Sequence, residues 1–150
     1  MAASANLGVL FSPDHDANTV ALIDLGGEAG PRSYTYGELD AQADGVARGL
    51  RARGLAPGAR VAILSANRME FLAAYLGIMR AGLVAVPVNH RLPAAGIEFI
   101  LQDCGASLVF CDALRRGLCT AQLPMVEFGA DGPEGYAAFL VPGPWEAEPV

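Results

Sequence analysis

Lysine is absent from this 150-residue chain, and all ten of its basic residues are arginines. Nucleotide-binding loops of the G-x-x-x-x-G-K type hold phosphate with a lysine, so the chain carries none of them. The dinucleotide pattern G-x-G-x-x-G is absent too. The sixteen acidic residues outnumber the ten arginines, which leaves a net charge of −6. Binding to nucleic acid needs a basic patch, so the charge balance argues against a nucleic-acid-binding function as well.

Motifs for metal binding or for nucleophilic catalysis are lacking. The cysteines, Cys104, Cys111 and Cys119, are odd in number and lack C-x-x-C spacing. This pattern argues against a disulfide framework or a zinc site and favours reduced, mostly buried thiols. An Asp-His-Asp triplet at 14–16 is best interpreted as loop, since adjacent ligands converge poorly on one ion. No G-x-S-x-G surrounds a serine. The sequence therefore predicts no metal ligands and no catalytic residues.

Signals for secretion or membrane insertion are also lacking. The N-terminus has neither a basic segment nor a sustained apolar one, so a cytoplasmic location is expected. Residues 71–88 are nearly all apolar, but Arg80, Gly82 and Pro87 interrupt them, which favours a helix and a strand over a membrane span. Hydrophobic residues reach 53% and mean hydropathy is +0.34. We expect some of this apolar surface to contact other protein, or to cause self-association.

The first elements are predicted from turn and cap signals. Two β-prone runs at 19–25 and 32–36 flank a Gly/Pro turn, which predicts a hairpin. Thr35 and Glu38 have capping-box spacing and open a helix that ends near Gly54. One apolar stripe of that helix contains Leu39, Ala43, Val46, Ala47 and Leu50.

Strands and helices then alternate. Apolar runs predict strands at 61–64, 84–88, 107–111 and 125–128, and helices at 68–81 and 93–104 separate the first three. Asn67 and Glu70 form a second capping box, and Asp112 is placed to cap the segment after the third strand. This order is typical of a three-layer α/β fold with a mainly parallel sheet between helices. Residues 1–130 form one α/β subdomain on this interpretation, and the Pro-, Gly- and acid-rich segment 131–150 is a linker or tail.

Two motifs identify a resemblance. The first is Thr-Tyr-Gly-Glu-Leu at residues 35–39, where the first predicted helix begins; the second is Ala-Gly-Leu-Val-Ala-Val-Pro-Val-Asn at residues 81–89, covering the second strand of the predicted parallel sheet. In combination they resemble the N-terminal part of AMP-forming acyl-CoA synthetases, over about residues 17–112. That superfamily includes luciferases and the adenylation domains of peptide synthetases. The segments VPVNHRL (residues 86–92) and EFILQDCGASLVF (residues 98–110) are similar to sequences of the acyl- and aryl-CoA ligase branch.

The resemblance implies a reaction for the parent protein. A carboxylate attacks the α-phosphate of MgATP to give an acyl-adenylate, and the thiol of CoA then displaces AMP. The family supplies a T-S-G-T-T-G-x-P-K-G loop and a late lysine for these steps, and neither is present in this lysine-free chain. The chain alone is therefore expected to be inactive and to bind no cofactor by itself. Its expected partners are the remainder of the ligase chain and a small carboxylate substrate.

His90 and Arg91 are the candidate cofactor-binding residues. In CoA ligases, the loop after the A-G…P strand lies on the side where CoA approaches, and a guanidinium suits a CoA phosphate. The alternative is that Asn89 makes the turn while His90 and Arg91 are solvated or pair with the missing portion. Two other functions stay open: a stand-alone interaction module derived from this fold, and a generic nucleotide-binding α/β domain.

Overall fold

The structure is a computed structural model that describes residues 6–9, 16–26, 30–119 and 122–146. The chain first forms a two-stranded antiparallel hairpin, β1 (Val20–Asp24) and β2 (Arg32–Thr35). This confirms the predicted hairpin. The Asp-His-Asp triplet lies outside the described residues except for Asp16, whose carboxylate accepts a hydrogen bond from Asn18 N at 2.9 Å.

A four-stranded parallel sheet forms the centre of the fold. Its strands are β3 (Arg60–Leu64), β4 (Val84–Pro87), β5 (Ala106–Asp112) and β6 (Met125–Phe128), in the spatial order β4-β3-β5-β6. The chain leaves β3 towards β4 and then crosses back to β5 on the other side of β3. The direction of winding therefore reverses between β3 and β5.

Helices cover both faces of the sheet: α1 (Tyr36–Ala52), α2 (Met69–Arg80), α3 (Ala94–Asp103) and the short α4 (Tyr136–Phe139). Residues of α1, α2 and α4 share one core cluster with Val61, Ile63 and Phe110 of the sheet. Residues of α3 share another with Ala62, Leu64 and Val109. Alternate strand residues thus point to opposite helical layers, which confirms the predicted three-layer α/β fold. No helix in the described ranges is both long and apolar enough to cross a membrane.

The predicted start of α1 is confirmed. Thr35 Oγ1 accepts a hydrogen bond from Glu38 N at 3.2 Å, and Glu38 Oε2 accepts one from Thr35 N at 2.8 Å. The five residues of the predicted apolar stripe are all buried. Gly54 follows the helix with φ +71°, the left-handed conformation that a glycine adopts without strain.

The predicted capping box at the start of α2 is wrong. Arg68, not Asn67, occupies the cap position, and its side chain makes no cap hydrogen bond. Its guanidinium instead binds Glu70 through two hydrogen bonds of 2.8 and 2.9 Å, so Glu70 does not reach back to the cap. Asp24, from the distant strand β1, supplies the cap, because its Oδ2 accepts a hydrogen bond from Met69 N at 2.9 Å.

Part of the segment predicted to be a linker or tail packs on the domain. Tyr136 and Phe139 of α4 are only 6% and 3% exposed and belong to the same core cluster as Phe110 and Phe128. Further along, the indole Nε1 of Trp145 donates a hydrogen bond to the carbonyl oxygen of Arg80 at 3.1 Å. These aromatic side chains therefore contribute to the packing of residues 1–130.

The contact between α1 and α2 depends on the absence of a side chain at Gly77. A Cβ there would lie 2.5 Å from Val46 Cβ and 2.6 Å from the carbonyl oxygen of Ala43. We expect Gly77→Ala to lower the free energy of unfolding by about 1–3 kcal/mol, because overpacking outweighs the better helix propensity of alanine. Urea denaturation measures this change.

Gly96 is the matched control, since it also lies in a helix. A Cβ at Gly96 would meet only Leu92 Cβ, at 3.8 Å. Gly96→Ala is expected to leave the stability unchanged or to raise it by up to about 1 kcal/mol. Equal effects of the two substitutions would contradict the close approach of the helices.

Candidate functional site

A pocket of about 800 Å³ opens beside the point where the winding of the sheet reverses. In open α/β sheets, ligands bind outside the carboxyl ends of the strands at such a point. Three segments line the pocket: residues 22–26 of the hairpin, residues 66–68 after β3, and residues 112–115 at the end of β5. Phe71, Leu72 and Phe128 complete its apolar wall. This pocket is the candidate functional site.

Asp112 joins two of these segments. Its Oδ2 accepts hydrogen bonds from Ala66 N at 2.9 Å and from the guanidinium of Arg115 at 2.8 Å. Its Oδ1 accepts one from Arg115 N at 3.0 Å, which confirms the predicted cap. Burial alone would raise the pKa of Asp112, but the hydrogen bonds from Ala66 and Arg115 outweigh it and hold the pKa below its usual value. Asp112 is therefore ionised at neutral pH and fixes both loops.

The other side of the pocket carries a second set of charges. Asp24 caps α2 and also accepts a hydrogen bond from Gly26 N at 2.9 Å, which holds the end of the hairpin in place. Arg68 lies 5.4 Å from the ring centre of Phe128. The hydrogen bonds from Arg68 to Glu70 raise the pKa of its guanidinium. A ligand here would meet an apolar surface edged by charges that already have partners.

The rim of this pocket is apolar and unusually exposed. Ile23 and Leu25 of the hairpin are 58% and 76% exposed, and Leu114 beyond β5 is 85% exposed. All three residues line the pocket. Side chains of this kind in contact with water suggest a surface that another protein segment or an apolar ligand covers.

The loop with His90 and Arg91 lies at the carboxyl end of β4. Asn89 Oδ1 accepts a hydrogen bond from Arg91 N at 3.0 Å, so Asn89 does form the turn. His90 is half-buried and Arg91 is exposed. Neither residue lines the 800 Å³ pocket, and their contact with CoA stays a prediction.

Sequence reasoning missed most of the pocket's charged residues. Arg68 and Arg115 each follow a strand of the parallel sheet by a few residues, at the edge where ligands bind in this fold class. That position was the signal for the two arginines, whereas Asp24 ends strand β1 of the hairpin and carried no such signal. Within the described part of the chain, no group of three or more His, Cys, Asp or Glu residues could hold a metal ion.

The charge on Asp112 makes a pH-dependent contribution to stability. Because its pKa in the folded state is below the ordinary value of about 3.9, its contribution is present above pH about 4 and is lost as the pH falls through the lower folded value. We expect Asp112→Asn to be clearly destabilising near neutral pH and nearly neutral in strong acid. Urea unfolding across the acid range measures the difference. Asp131→Asn, at an exposed position, is the control, and a wild-type-minus-variant difference for Asp112 that does not change with pH would contradict the expectation.

Comparison with known proteins agrees with this fold. The profile of the family described as "AMP-binding enzyme" matches residues 12–136. Among curated relatives, a 3-hydroxybenzoate–CoA ligase from Aromatoleum sp. (strain CIB) is 40% identical over 84 residues, which are 56% of this chain and 16% of that protein. Surfactin synthase subunit 2 from Bacillus subtilis (strain 168) is 45% identical over 78 residues, 52% of this chain and 2% of that protein. The chain thus spans a small part of either relative.

Comparison with solved structures also supports this fold. A benzoate CoA ligase from Burkholderia xenovorans LB400 superposes with a TM-score of 0.73 at 25% identity, covering 87% of this chain and 27% of that protein. The family profile spans most of the described residues, including the hairpin, the parallel sheet and the pocket between β3 and β5. The chain therefore belongs to the family of AMP-binding enzymes.

Proposed function

We propose that this chain is the N-terminal part of an AMP-forming acyl- or aryl-CoA ligase, which joins a carboxylic acid to CoA through an acyl-adenylate at the expense of ATP. The observation that carries the proposal is the family match over residues 12–136. Relatives named as CoA ligases for hydroxybenzoates and for long-chain fatty acids support the branch. They leave open whether the acid is aromatic or aliphatic. A cytoplasmic location fits this function.

Within the parent, the chain acts as scaffold. Chemistry on MgATP needs a cation against the phosphates and oxygen ligands for the metal ion. The chain has no lysine, and Asp24 and Asp112, the carboxylates at the pocket, are both occupied by hydrogen bonds within the protein. The residues present therefore do not fit a complete MgATP site, and we assign ATP and Mg²⁺ to the remainder of the ligase.

The first experiment is to read the source gene beyond the codon for Val150 and to express the whole reading frame. A downstream T-S-G-T-T-G-x-P-K-G-like loop and a late lysine are expected. The full protein is expected to catalyse carboxylate-dependent exchange of pyrophosphate into ATP, and the 150-residue chain to show none. A stop codon directly after Val150 would overturn the proposal in favour of an interaction module. Micromolar ATP binding by the chain alone, measured by calorimetry, would favour a nucleotide-binding domain.

The proposed contact of His90 and Arg91 with CoA is tested in the same full-length enzyme. Arg91→Ala is expected to raise KM for CoA while leaving KM for ATP unchanged, because only the CoA phosphates lose a guanidinium. Arg60→Ala is the matched control, since Arg60 is also exposed but lies at the amino end of β3, the opposite edge of the sheet. An unchanged KM for CoA in the Arg91 variant would remove this residue from the site.

A further inference from the structure

Two of the three cysteines approach one another on the α3 side of the sheet. Along β5, Val109 packs in the core cluster of α3, and Cys111, two residues later, points to the same face. Cys119 follows the short 3₁₀ helix Arg116–Leu118 and packs against that same cluster. The chain therefore leaves β5 at Cys111, turns, and returns to place Cys119 beside it.

An ion pair holds this turn in place. Arg116 Nη1 lies 2.8 Å from the carboxylate of Glu127, which is the cross-strand partner of Cys111 in the β5–β6 ladder. Cys119 Sγ lies 3.8 Å from the carbonyl oxygen of Arg115, its hydrogen-bond acceptor. Cys111 and Cys119 thus lie on one face of the sheet beside a fixed loop, and each thiol shifts the pKa of the other.

The surroundings give the two thiols different properties. The hydrogen bond from Cys111, together with the nearby positive charge of Arg116, lowers the pKa of Cys119. The same hydrogen bond, together with burial, raises the pKa of Cys111. Cys119 is half-buried and Cys111 is fully buried. Cys119 is therefore the nucleophilic thiol, and Cys111 is a protonated partner that reagents in solution do not reach.

We propose that Cys111 and Cys119 form a redox-active dithiol that a hydroperoxide oxidises to a disulfide. The Cys119 thiolate attacks the terminal oxygen of the hydroperoxide, and the O–O bond breaks. Cys119 becomes a sulfenic acid, and the hydroxide or alkoxide that leaves takes a proton from solvent, which replaces the proton that the Cys119 thiol released. The Cys111 sulfur then attacks the Cys119 sulfur, the S–O bond breaks, and the Cys111 proton leaves with the hydroxyl group as water. Both sulfur atoms are oxidised and the peroxide is reduced. A dithiol reductant reverses the reaction by exchange.

The position of the pair connects it with the candidate site. Cys111 and Cys119 enclose the segment 112–118, which carries both Asp112 and Arg115 of the pocket. A disulfide would close this segment into a short covalent loop. The oxidation state of the pair thereby acts on the shape of the pocket, whichever ligand or segment covers it.

The experiment uses the chain with Cys104→Ser, which removes the third thiol. The protein is treated with excess hydrogen peroxide, alkylated, digested with trypsin without reduction and analysed by mass spectrometry. Trypsin cuts after Arg91, Arg115 and Arg116, so Cys111 lies in peptide 92–115 and Cys119 in peptide 117–150. We expect these peptides to appear joined, two hydrogens lighter than their sum, and to separate after reduction.

Two variants assign the roles. Cys119→Ser is expected to leave Cys111 as a free thiol after peroxide treatment, because the more accessible of the two thiols is gone. Cys111→Ala is expected to leave Cys119 with added oxygen atoms, because its sulfenic acid has no partner. Accumulation of sulfinic acid at Cys119 without the joined peptides in the Cys104→Ser protein would overturn the proposal. So would a disulfide formed only between two protein molecules, seen as a dimer on a non-reducing gel.

Discussion

Replacing Arg80 by methionine is expected to lower the free energy of unfolding by about 3–5 kcal/mol, the loss typical of a buried ion pair that loses one partner. The side chain of Arg80 is only 4% exposed and binds two carboxylates of α1, those of Asp40 and Asp44. It also donates to the carbonyl oxygens of Gly8, at 2.8 Å, and Asp40, at 3.1 Å. Methionine fills similar volume but satisfies none of these acceptors.

The two carboxylates do not contribute equally to that loss. The side chain of Asp40 is 51% exposed, so water can solvate it when Arg80 is removed, whereas the side chain of Asp44 is 15% exposed. Asp40→Asn is therefore expected to cost about 1 kcal/mol or less. Adding Asp44→Leu to Arg80→Met is expected to recover part of the lost stability, because no buried charge is then left unpaired. Urea denaturation of the wild type, Arg80→Met, Asp44→Leu and the double variant forms a double-mutant cycle. Purely additive effects of the two substitutions would contradict a direct ion pair between Arg80 and Asp44.

The effect of Arg80→Met can also be measured locally, at the indole of Trp145. The chain contains one tryptophan, Trp145, whose backbone N–H donates to Asp44 Oδ2 at 3.2 Å and whose ring lies 4.3 Å from the guanidinium of Arg51. If Asp44 moves when Arg80 is lost, the fluorescence of Trp145 is expected to shift towards that of an exposed indole under native conditions. An unchanged spectrum would mean that the end of the chain is held independently of Arg80.

Local rules account for the elements that the sequence predicted correctly. The capping box at Thr35 and Glu38, the apolar stripe of α1 and the buried runs of β3 and β5 all depend on residues close together in the chain. Parallel strands with intervening helices then have few ways to pack, so the three-layer architecture could be predicted too.

Contacts between distant residues account for the features that the sequence did not predict. Asp24 caps α2 from 45 residues away, and nothing near Asn67 indicates that the cap comes from the hairpin. The pocket has the same origin, because it requires the hairpin to lie beside the carboxyl ends of β3 and β5. A loop position can indicate that a charged residue faces this edge, but not which partner it finds there.

Composition alone does not indicate the packing of the segment after Asp131. This segment is rich in proline, glycine and acidic residues, which favours a solvated linker. Its Tyr136 and Phe139 nevertheless form one aromatic cluster with Phe110 and Phe128 of the sheet, with ring-centre distances from 5.1 to 6.3 Å. Two well-placed aromatic residues are enough to bind such a segment to a core, because each buries a large apolar area.

Phe139→Ala is accordingly expected to lower the free energy of unfolding by about 3–5 kcal/mol, the loss usual for a large aromatic side chain in a core. The ring of Phe139 is 3% exposed and lies edge-on to Phe110, at 5.1 Å between centres. The guanidinium of Arg53 lies over this ring, 4.3 Å from its centre. Phe139 packs against Gly49 of α1, where a Cβ would lie 2.6 Å from the Phe139 carbonyl oxygen. Urea denaturation followed by circular dichroism measures the loss.

Phe99→Ala provides the control, because Phe99 lies on α3 with 65% of its surface exposed. Its replacement is expected to change the free energy of unfolding by about 0.5 kcal/mol or less. If the two phenylalanine variants were equally stable, residues 136–139 would not belong to the core, and the boundary of the domain would lie near residue 130. If Phe139→Ala lowers the free energy of unfolding more than Phe99→Ala does, shortening the chain to residues 1–130 is expected to destabilise the protein by at least as much as Phe139→Ala. Tyr136 is then lost together with Phe139. The folding unit then extends to the end of α4, and any linker begins after it.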